Sequence, residues 1–133
     1  MIQKIIEKNG DYFYFIFRVF VGLLFFQHGA KKLFGVFGAE ESVVLLSLMG
    51  LAGVIEFVGG LSIAFGFFAR FAALISAVEM LFAYFRAHLP NGLIPIMNRG
   101  ELSLLYFAVF LVILVYGAKK WSLEKLLLKK EIF

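Results

Sequence analysis

The sequence predicts an all-α integral membrane protein in which four membrane-spanning helices form a bundle, with amphipathic segments at both ends. Three observations support this prediction. Of the 133 residues, 62% are hydrophobic, whereas soluble domains contain about 45–50% apolar residues. The mean hydropathy is +0.95, and a soluble chain of this size could not bury so much apolar surface. The apolar residues also fall into four runs separated by short polar stretches, so we expect a single membrane domain over residues 1–133.

The first predicted span covers residues 12–34, a length sufficient to cross a hydrocarbon core of roughly 30 Å. Before it, residues 1–11 alternate isoleucine with charged and polar side chains, which predicts an amphipathic segment on the membrane surface. Arg18 lies inside the first apolar run, and that run has no cleavage site made of small residues. We therefore do not expect a cleavable signal peptide.

The second predicted span covers residues 43–68 and is interrupted only by Glu56. Ser42 is the expected N-terminal cap of this helix. Gly53, Glu56 and Gly60 share one helix face. Because small residues allow helices to approach closely in lipid, we expect another helix to pack on this face.

The third predicted span, residues 71–88, follows so short a connection that it must run antiparallel to the second. Two prolines mark residues 89–100 as a loop. Residues 101–117 form the fourth predicted span, and residues 122–133 are predicted to form an amphipathic surface helix. Small and polar side chains form one stripe along the third span at intervals of three and four residues, namely Ala72, Ser76, Glu79, Ala83 and Arg86.

Charged residues at the ends of the spans predict the orientation. Four spans place both termini on one side, where eight lysines and arginines are expected, against four on the other side. The positive-inside rule therefore predicts cytoplasmic termini in a multi-pass protein of the cell membrane. Since the net charge of +4 resides at these interfaces, it does not indicate nucleic-acid binding. The absence of cysteine excludes disulfides, iron–sulfur clusters and cysteine-bound zinc within the chain, and no metal site is predicted.

Helical rise brings polar side chains from different spans to similar depths. Counted from the cytoplasmic ends, His28, Arg86 and Glu101 lie at about 24–26 Å. Glu56 and Glu79 lie beneath them, at about 20 and 15 Å. A carboxylate exposed to lipid is costly, so we expect these groups to face the bundle interior and to form ion pairs. The expected pairs are Arg86 with Glu101 and Arg18 with Glu79.

Each of these groups also has a purely structural interpretation. Glu56 and Glu79 are either proton-carrying or ligand-binding carboxylates, or members of structural ion pairs. Lys32 is either a ligand-binding cation or a lysine that extends to the interface from a helix end. His28 and His88 either belong to a site or hydrogen-bond a nearby carbonyl. As axial haem ligands they would have to face each other, which the sequence does not indicate, so haem is not expected.

Several short motifs are distributed along the sequence, namely HGAKKLFG at residues 28–35, EFVGG at 56–60, GFFAR at 66–70, Met80, Ala83, His88, Gly92, GE at 100–101 and GAKKWSLE at 117–124. In this order, they resemble the DoxX family of small four-helix membrane proteins over nearly the whole length of the sequence. The last motif has Glu124 where the family pattern has aspartate.

The resemblance implies a four-helix bundle in the cytoplasmic membrane and a link to quinone-dependent electron transfer. Relatives include the membrane subunit of thiosulfate:quinone oxidoreductase and components of redox-stress complexes. The family-type polar positions in this sequence are His28, Lys32, Glu56, His88 and Glu101. Because relatives that handle thiols would use cysteines, the cysteine-free sequence argues against thiol redox chemistry.

The first functional hypothesis is a quinone-binding subunit of an oxidoreductase. Quinone reduction requires hydrogen-bond donors for the carbonyl oxygens and a titratable group that passes protons. His28 and Lys32 would donate hydrogen bonds, and Glu56 and Glu79 would act as the catalytic proton carriers. Electrons would come from a partner redox subunit or another substrate. The remaining ligand-binding positions of the predicted outer layer are Arg86, His88 and Glu101.

Two other hypotheses remain open. In the first, the protein is a non-enzymatic anchor or scaffold, and the tail at residues 122–133 holds a partner redox enzyme at the membrane. In the second, it is a small proton-coupled transporter, for which four short spans without an inverted repeat give little support. The outer surface of such a bundle also leaves room for a homodimer within the lipid bilayer.

Overall fold

Six α-helices follow one another through residues 1–132, which are the residues that the computed structural model describes, and no β-strand occurs among them. A π-helical turn at Tyr84–His88 and a 3₁₀ turn at Leu89–Asn91 continue the third helix. The bounds are Ile2–Phe34 for α1, Leu48–Phe65 for α2, Ala69–Ala83 for α3, Pro95–Asn98 for α4, Glu101–Tyr116 for α5 and Leu123–Leu128 for α6.

Three helical segments are long and apolar enough to cross a membrane, namely Ile2–Phe34, Leu48–Phe65 and Ala69–Asn91. They correspond to the first three predicted spans. The prediction of an all-α chain with membrane-spanning helices is thereby confirmed for these segments. Helix α5 occupies the predicted fourth span, residues 101–117, and is also apolar, but its 16 residues make it shorter than the others.

Two predicted boundaries in the N-terminal half of the chain are wrong. The amphipathic segment 1–11 is not separate from the first span, because α1 runs without a break from Ile2 through 33 residues, a length of about 50 Å. Helix α2 begins at Leu48 rather than at residue 43. Ser47, and not Ser42, is its cap, since the Ser47 backbone is extended and its side chain accepts a hydrogen bond from the Gly50 amide at 3.0 Å.

Glycines bring α1 and α2 into backbone contact. A Cβ atom added at Gly22 would overlap the backbone of Gly60, and one added at Gly29 would overlap the backbone of Gly53. The paired glycines are spaced seven residues apart on each helix, so they lie on one face of each. The prediction that another helix packs closely on the Gly53 and Gly60 face is confirmed, and the partner is α1.

The four long helices enclose one apolar core. Helix α2 packs between α1 and α3, and α3 packs against α5. Aromatic contacts join α5 to α1, with ring centroids 4.7 Å apart for Phe25 and Phe110 and 5.2 Å apart for Phe25 and Tyr106. The core is completed mainly by small residues of α3, among them Ala69, Ala72, Ala73 and Ala77.

Arg18 does not pair with Glu79, contrary to the prediction. It is fully buried and donates hydrogen bonds to the carbonyl oxygens of Ile63, at 3.3 Å, and of Lys120 and Trp121, both at 3.2 Å. The last carbonyls of a helix have no partner within it. Arg18 therefore ties the end of α2 to the segment that precedes α6.

The C-terminal tail folds back onto the end of α2. The Ser122 hydroxyl donates to the Gly66 carbonyl at 2.8 Å, and the Glu124 amide donates to the same oxygen at 3.1 Å. The tail helix ends at Leu128 rather than extending to residue 133, because Lys129 adopts a left-handed conformation with φ of 59°. Phe133 lies outside the described residues.

Candidate functional site

A cavity of about 290 Å³ lies between α1, α2, α3 and α5. Its lining combines polar and charged side chains from α1, α2 and α3 with aromatic and small apolar side chains. The lining residues are Phe25, His28 and Lys32 of α1, Met49, Ala52 and Glu56 of α2, Glu79, Met80, Ala83, Ala87 and His88 of α3 and its π-helical turn, and Arg99, Leu102, Ser103 and Tyr106 near or within α5.

Lys32 and Glu56 form an ion pair in the wall of this cavity. The Glu56 side chain is only 3% exposed, whereas that of Lys32 is 23% exposed. The glycine contact between α1 and α2 brings the two backbones close enough for this pair to form. The second carboxyl oxygen of Glu56, Oε2, has no hydrogen-bond partner among residues 1–132.

Glu79 contributes a second carboxyl group to the same cavity. Its Oε2 atom is buried and has no hydrogen-bond partner within the described part of the chain. Two carboxyl groups thus line one cavity in which only Glu56 forms an ion pair with Lys32, and two negative charges in such a low-dielectric environment would be costly. The site is therefore suited to holding an exchangeable proton.

Aromatic side chains form one side of the cavity. Tyr106 is buried, lies 5.7 Å from the stacked Phe110 ring, and meets the His28 ring edge-on at 5.9 Å. Phe25 completes this group and also lines the cavity. Such faces can hold a flat ring by stacking or by edge contacts. Sequence reasoning missed Tyr106, although a tyrosine inside the apolar run of α5 was a usable signal.

His88 and the loop after it close another side of the cavity. The Nδ1 atom of His88 lies 3.2 Å from the Asn98 carbonyl oxygen. Asn98 is buried and orders the loop, because its Nδ2 donates to the Gly92 carbonyl at 2.8 Å and its Oδ1 accepts from the Gly100 amide at 2.8 Å. This loop places Arg99 in the cavity lining. The sequence-based prediction treated residues 89–100 only as a loop and missed both Asn98 and Arg99.

Arg86 and Glu101 do not belong to this site. Both are exposed, neither lines the cavity, and no ion pair joins them in the part of the chain that the structure describes. The physical reason is the π-helical turn at Tyr84–His88, which widens the helix by one residue per turn and shifts the side-chain register. Ala87, the next residue, lines the cavity in place of Arg86.

The structure thus brings together five of the predicted site residues, which are His28, Lys32, Glu56, Glu79 and His88. Their predicted roles in proton transfer and ligand binding remain predictions. Among residues 1–132, no group of three or more histidine, cysteine, aspartate or glutamate side chains is arranged to hold a metal ion.

Comparison with known proteins gives one family and three relatives. The family model described as DoxX matches residues 13–89. An uncharacterized protein of Haemophilus influenzae is 38% identical, with 94% of this chain and 98% of the relative covered. The inner membrane protein YqjF of Escherichia coli is 29% identical, with 93% and 98% covered, and the putative oxidoreductase CatD of Bacillus subtilis is 26% identical, with 86% of each chain covered. No solved structure matches the chain significantly.

Proposed function

The chain belongs to the DoxX family of membrane proteins, and from this premise we propose that its cavity binds the ring of a membrane quinone as part of an oxidoreductase. The observation that carries the proposal is the cluster of Lys32, Glu56 and Glu79 in one cavity between membrane helices. Ionisable side chains at such depth are expensive and usually serve a function. The relative named as a putative oxidoreductase gives additional, though distant, support.

The size and lining of the cavity suit a single-ring ligand. A volume of about 290 Å³ lies just below the roughly 300–1,000 Å³ typical of small-molecule pockets, as expected for a site that holds only a single ring. Phe25 and Tyr106 supply aromatic walls for a flat ring. Lys32 and His28 supply nitrogen atoms that can donate hydrogen bonds to ring oxygens.

The two carboxyl groups have different tasks in this proposal. A bound quinone would supply two-electron chemistry that also consumes two protons. Glu56 holds the Lys32 ammonium in the cavity wall. Glu79, whose Oε2 atom has no partner among the described residues, carries the proton that the site exchanges. Since the chain has no cysteine, we assign the supply of electrons to a partner redox protein.

We also propose that α5 is a fourth membrane span. It packs against α3 and shares aromatic contacts with α1, and both of these neighbours are long enough to cross a membrane. A helix of 16 residues is about 24 Å long, so a modest local thinning of the bilayer accommodates it. With four spans, the distribution of lysines and arginines supports an orientation in which both termini are cytoplasmic.

The anchor hypothesis receives less support from the tail. Ser122 and Glu124 hold α6 against the end of α2. The outward side chains of α6 include Leu126 and Leu127, which are 77% and 62% exposed, with lysines beside them. This pattern is typical of a helix on a membrane surface. We therefore prefer the quinone-binding function to the hypothesis that the tail anchors a partner enzyme.

The experiment that tests the proposal measures bound quinone. The protein is purified from membranes in mild detergent, and extracted lipids are analysed by mass spectrometry for the wild type, His28→Leu and Glu101→Gln. We expect near-stoichiometric quinone in the wild type and in Glu101→Gln, whose altered side chain lies outside the cavity, and a loss of at least tenfold in His28→Leu, which lacks a proposed hydrogen-bond donor to the ring. Folded wild type without quinone, or equal quinone in all three proteins, would contradict the proposal.

A further inference from the structure

A second and almost entirely apolar depression, here called the lateral groove, lies along the seam between α2 and α3. Its volume is about 220 Å³. Val58 and Phe71, which are 55% and 54% exposed, form part of its rim. The buried small residues Gly59, Ala72 and Ser76 also line it. Since both helices are long and apolar enough to cross a membrane, the lateral groove opens toward lipid.

The lateral groove continues the seam on which the polar cavity lies. On α2, Ile55 lines the groove and the next residue, Glu56, lines the cavity. On α3, Ser76 lines the groove and Glu79 lines the cavity, with a helical rise of about 4.5 Å between them. The cavity and the groove therefore lie against neighbouring residues of the same two helices, which is the arrangement expected for a ring site next to a chain site.

Ser76 marks the point where polar lining gives way to apolar lining. It is fully buried, and its hydroxyl has no hydrogen-bond partner among residues 1–132. A buried hydroxyl without a partner is costly, so the site favours a ligand that offers it one. An amphiphile that has a polar ring in the cavity and an apolar chain in the groove would place its ring-to-chain junction, with nearby oxygen atoms, at this level.

We propose that the lateral groove binds the hydrocarbon chain, isoprenoid or alkyl, of the same ligand whose ring occupies the cavity. The inference rests on the proposed function and extends it to a ligand class, a lipid-soluble single-ring amphiphile that enters from the bilayer. Because lipid tails are as apolar as the groove, the hydrophobic effect favours neither environment. The preference arises from dispersion contacts with a groove whose shape fits a chain.

Two probes and two matched substitutions test this inference. The probes are 2,3-dimethoxy-5-methyl-1,4-benzoquinone, which has no chain, and its decyl derivative. Val58→Trp fills the rim of the groove, whereas Val78→Trp adds the same bulk at a lipid-exposed position of α3 that does not line it. Bound probe is quantified on protein in nanodiscs, with empty nanodiscs of the same lipid subtracted. Ser62→Leu is a second groove-filling variant in case Val58→Trp does not fold.

We expect the wild type and Val78→Trp to bind the decyl probe about fivefold more tightly than the chainless probe. Val58→Trp should lose this preference while binding the chainless probe as the wild type does. An unchanged preference in folded Val58→Trp and Ser62→Leu, or an equal loss in Val78→Trp, would overturn the chain site alone. Failure of the wild type to bind either probe would overturn the proposed function and this inference together.

Discussion

Lys32 of α1 and Glu56 of α2 form a partly buried ion pair beside the point where two glycines bring their helices together. Gly29 lies three residues before Lys32, and Gly53 lies three residues before Glu56. Each charged side chain thus sits one helical turn from the backbone contact. The packing of α1 on α2 and the polar character of the cavity therefore depend on the same short stretch of the two helices.

Breaking this ion pair should destabilise the protein more than replacing both partners. Glu56→Met leaves the Lys32 ammonium in the cavity wall without its partner, and we expect the free energy of unfolding to fall by about 3 kcal/mol. The double variant Lys32→Met with Glu56→Met should recover most of that loss, since no unpaired charge remains. The stability of both variants is measured by thermal unfolding in detergent, which is monitored through the fluorescence of the single tryptophan, Trp121. A Glu56→Met protein as stable as the wild type would show that the pair is not a stabilising contact.

Gly29 should tolerate no side chain, whereas Gly10 in the same helix should. Gly29→Ala places a methyl group against the backbone of Gly53 and Phe57, so we expect a loss of about 1–3 kcal/mol in the free energy of unfolding. Gly10 has no atom within 4 Å of an added Cβ, and Gly10→Ala should be neutral or stabilising by roughly 0.5 kcal/mol. The same unfolding assay compares the two variants. If Gly29→Ala were as stable as Gly10→Ala, the contact between α1 and α2 would accommodate a methyl group without a loss of stability.

The first three spans and five cavity residues could be predicted from the sequence because two regularities determine them. Apolar run length identifies a membrane helix, and a rise of about 1.5 Å per residue assigns a depth to each polar side chain. Glu56 and Glu79 met at one cavity because they lie at comparable depths on neighbouring antiparallel helices. Lys32 could be predicted as a hydrogen-bond donor of the site. Its pairing with Glu56 could not, because the pair depends on the close approach of α1 and α2 at Gly29, and the depth of a residue does not predict that approach.

The wrong predictions concern side chains whose placement depends on the local backbone, namely on a π-helical turn and on backbone carbonyl groups that accept hydrogen bonds. Arg86 was assigned to the interior by regular helical spacing, and a single π-helical turn moved it outward. Arg18 was assigned a carboxylate partner, but it donates hydrogen bonds to backbone carbonyls at the end of α2 and in the segment before α6. Every residue carries such a carbonyl, so nothing in the sequence distinguishes these three from the rest.

Glu131 should make the stability of the C-terminal tail depend on pH. Partial burial acts to raise the pKa of its carboxyl, but the hydrogen bond from the Ala118 amide and the ion pair with Lys125 outweigh it, so the pKa lies below its ordinary value of 4.5. A folded-state pKa below the unfolded one means that the ionised form stabilises the fold above about pH 4.5. This contribution is lost as the pH falls through the folded-state pKa.

Glu131→Gln should therefore lower the melting temperature at pH 7, and its difference from the wild type should shrink as the pH falls below 4.5. Glu41→Gln, an exposed substitution in the loop between α1 and α2, is the matched control and should behave as the wild type throughout. A difference that stays constant between pH 7 and pH 3 would show that the carboxylate charge of Glu131 is not the stabilising feature.

The number of spans can be decided with single cysteines, because the natural chain has none and gives no labelling background. Lys8→Cys, Glu40→Cys and Lys129→Cys place one thiol each at exposed positions in α1, in the loop before α2 and in the tail. A membrane-impermeant maleimide is applied to right-side-out and inside-out vesicles. If α5 crosses the membrane and the termini are cytoplasmic as proposed, Lys8→Cys and Lys129→Cys react only in inside-out vesicles and Glu40→Cys reacts only in right-side-out ones. Labelling of Lys129→Cys together with Glu40→Cys would instead leave three spans, and the cavity would then open at a membrane surface rather than lie within a closed bundle.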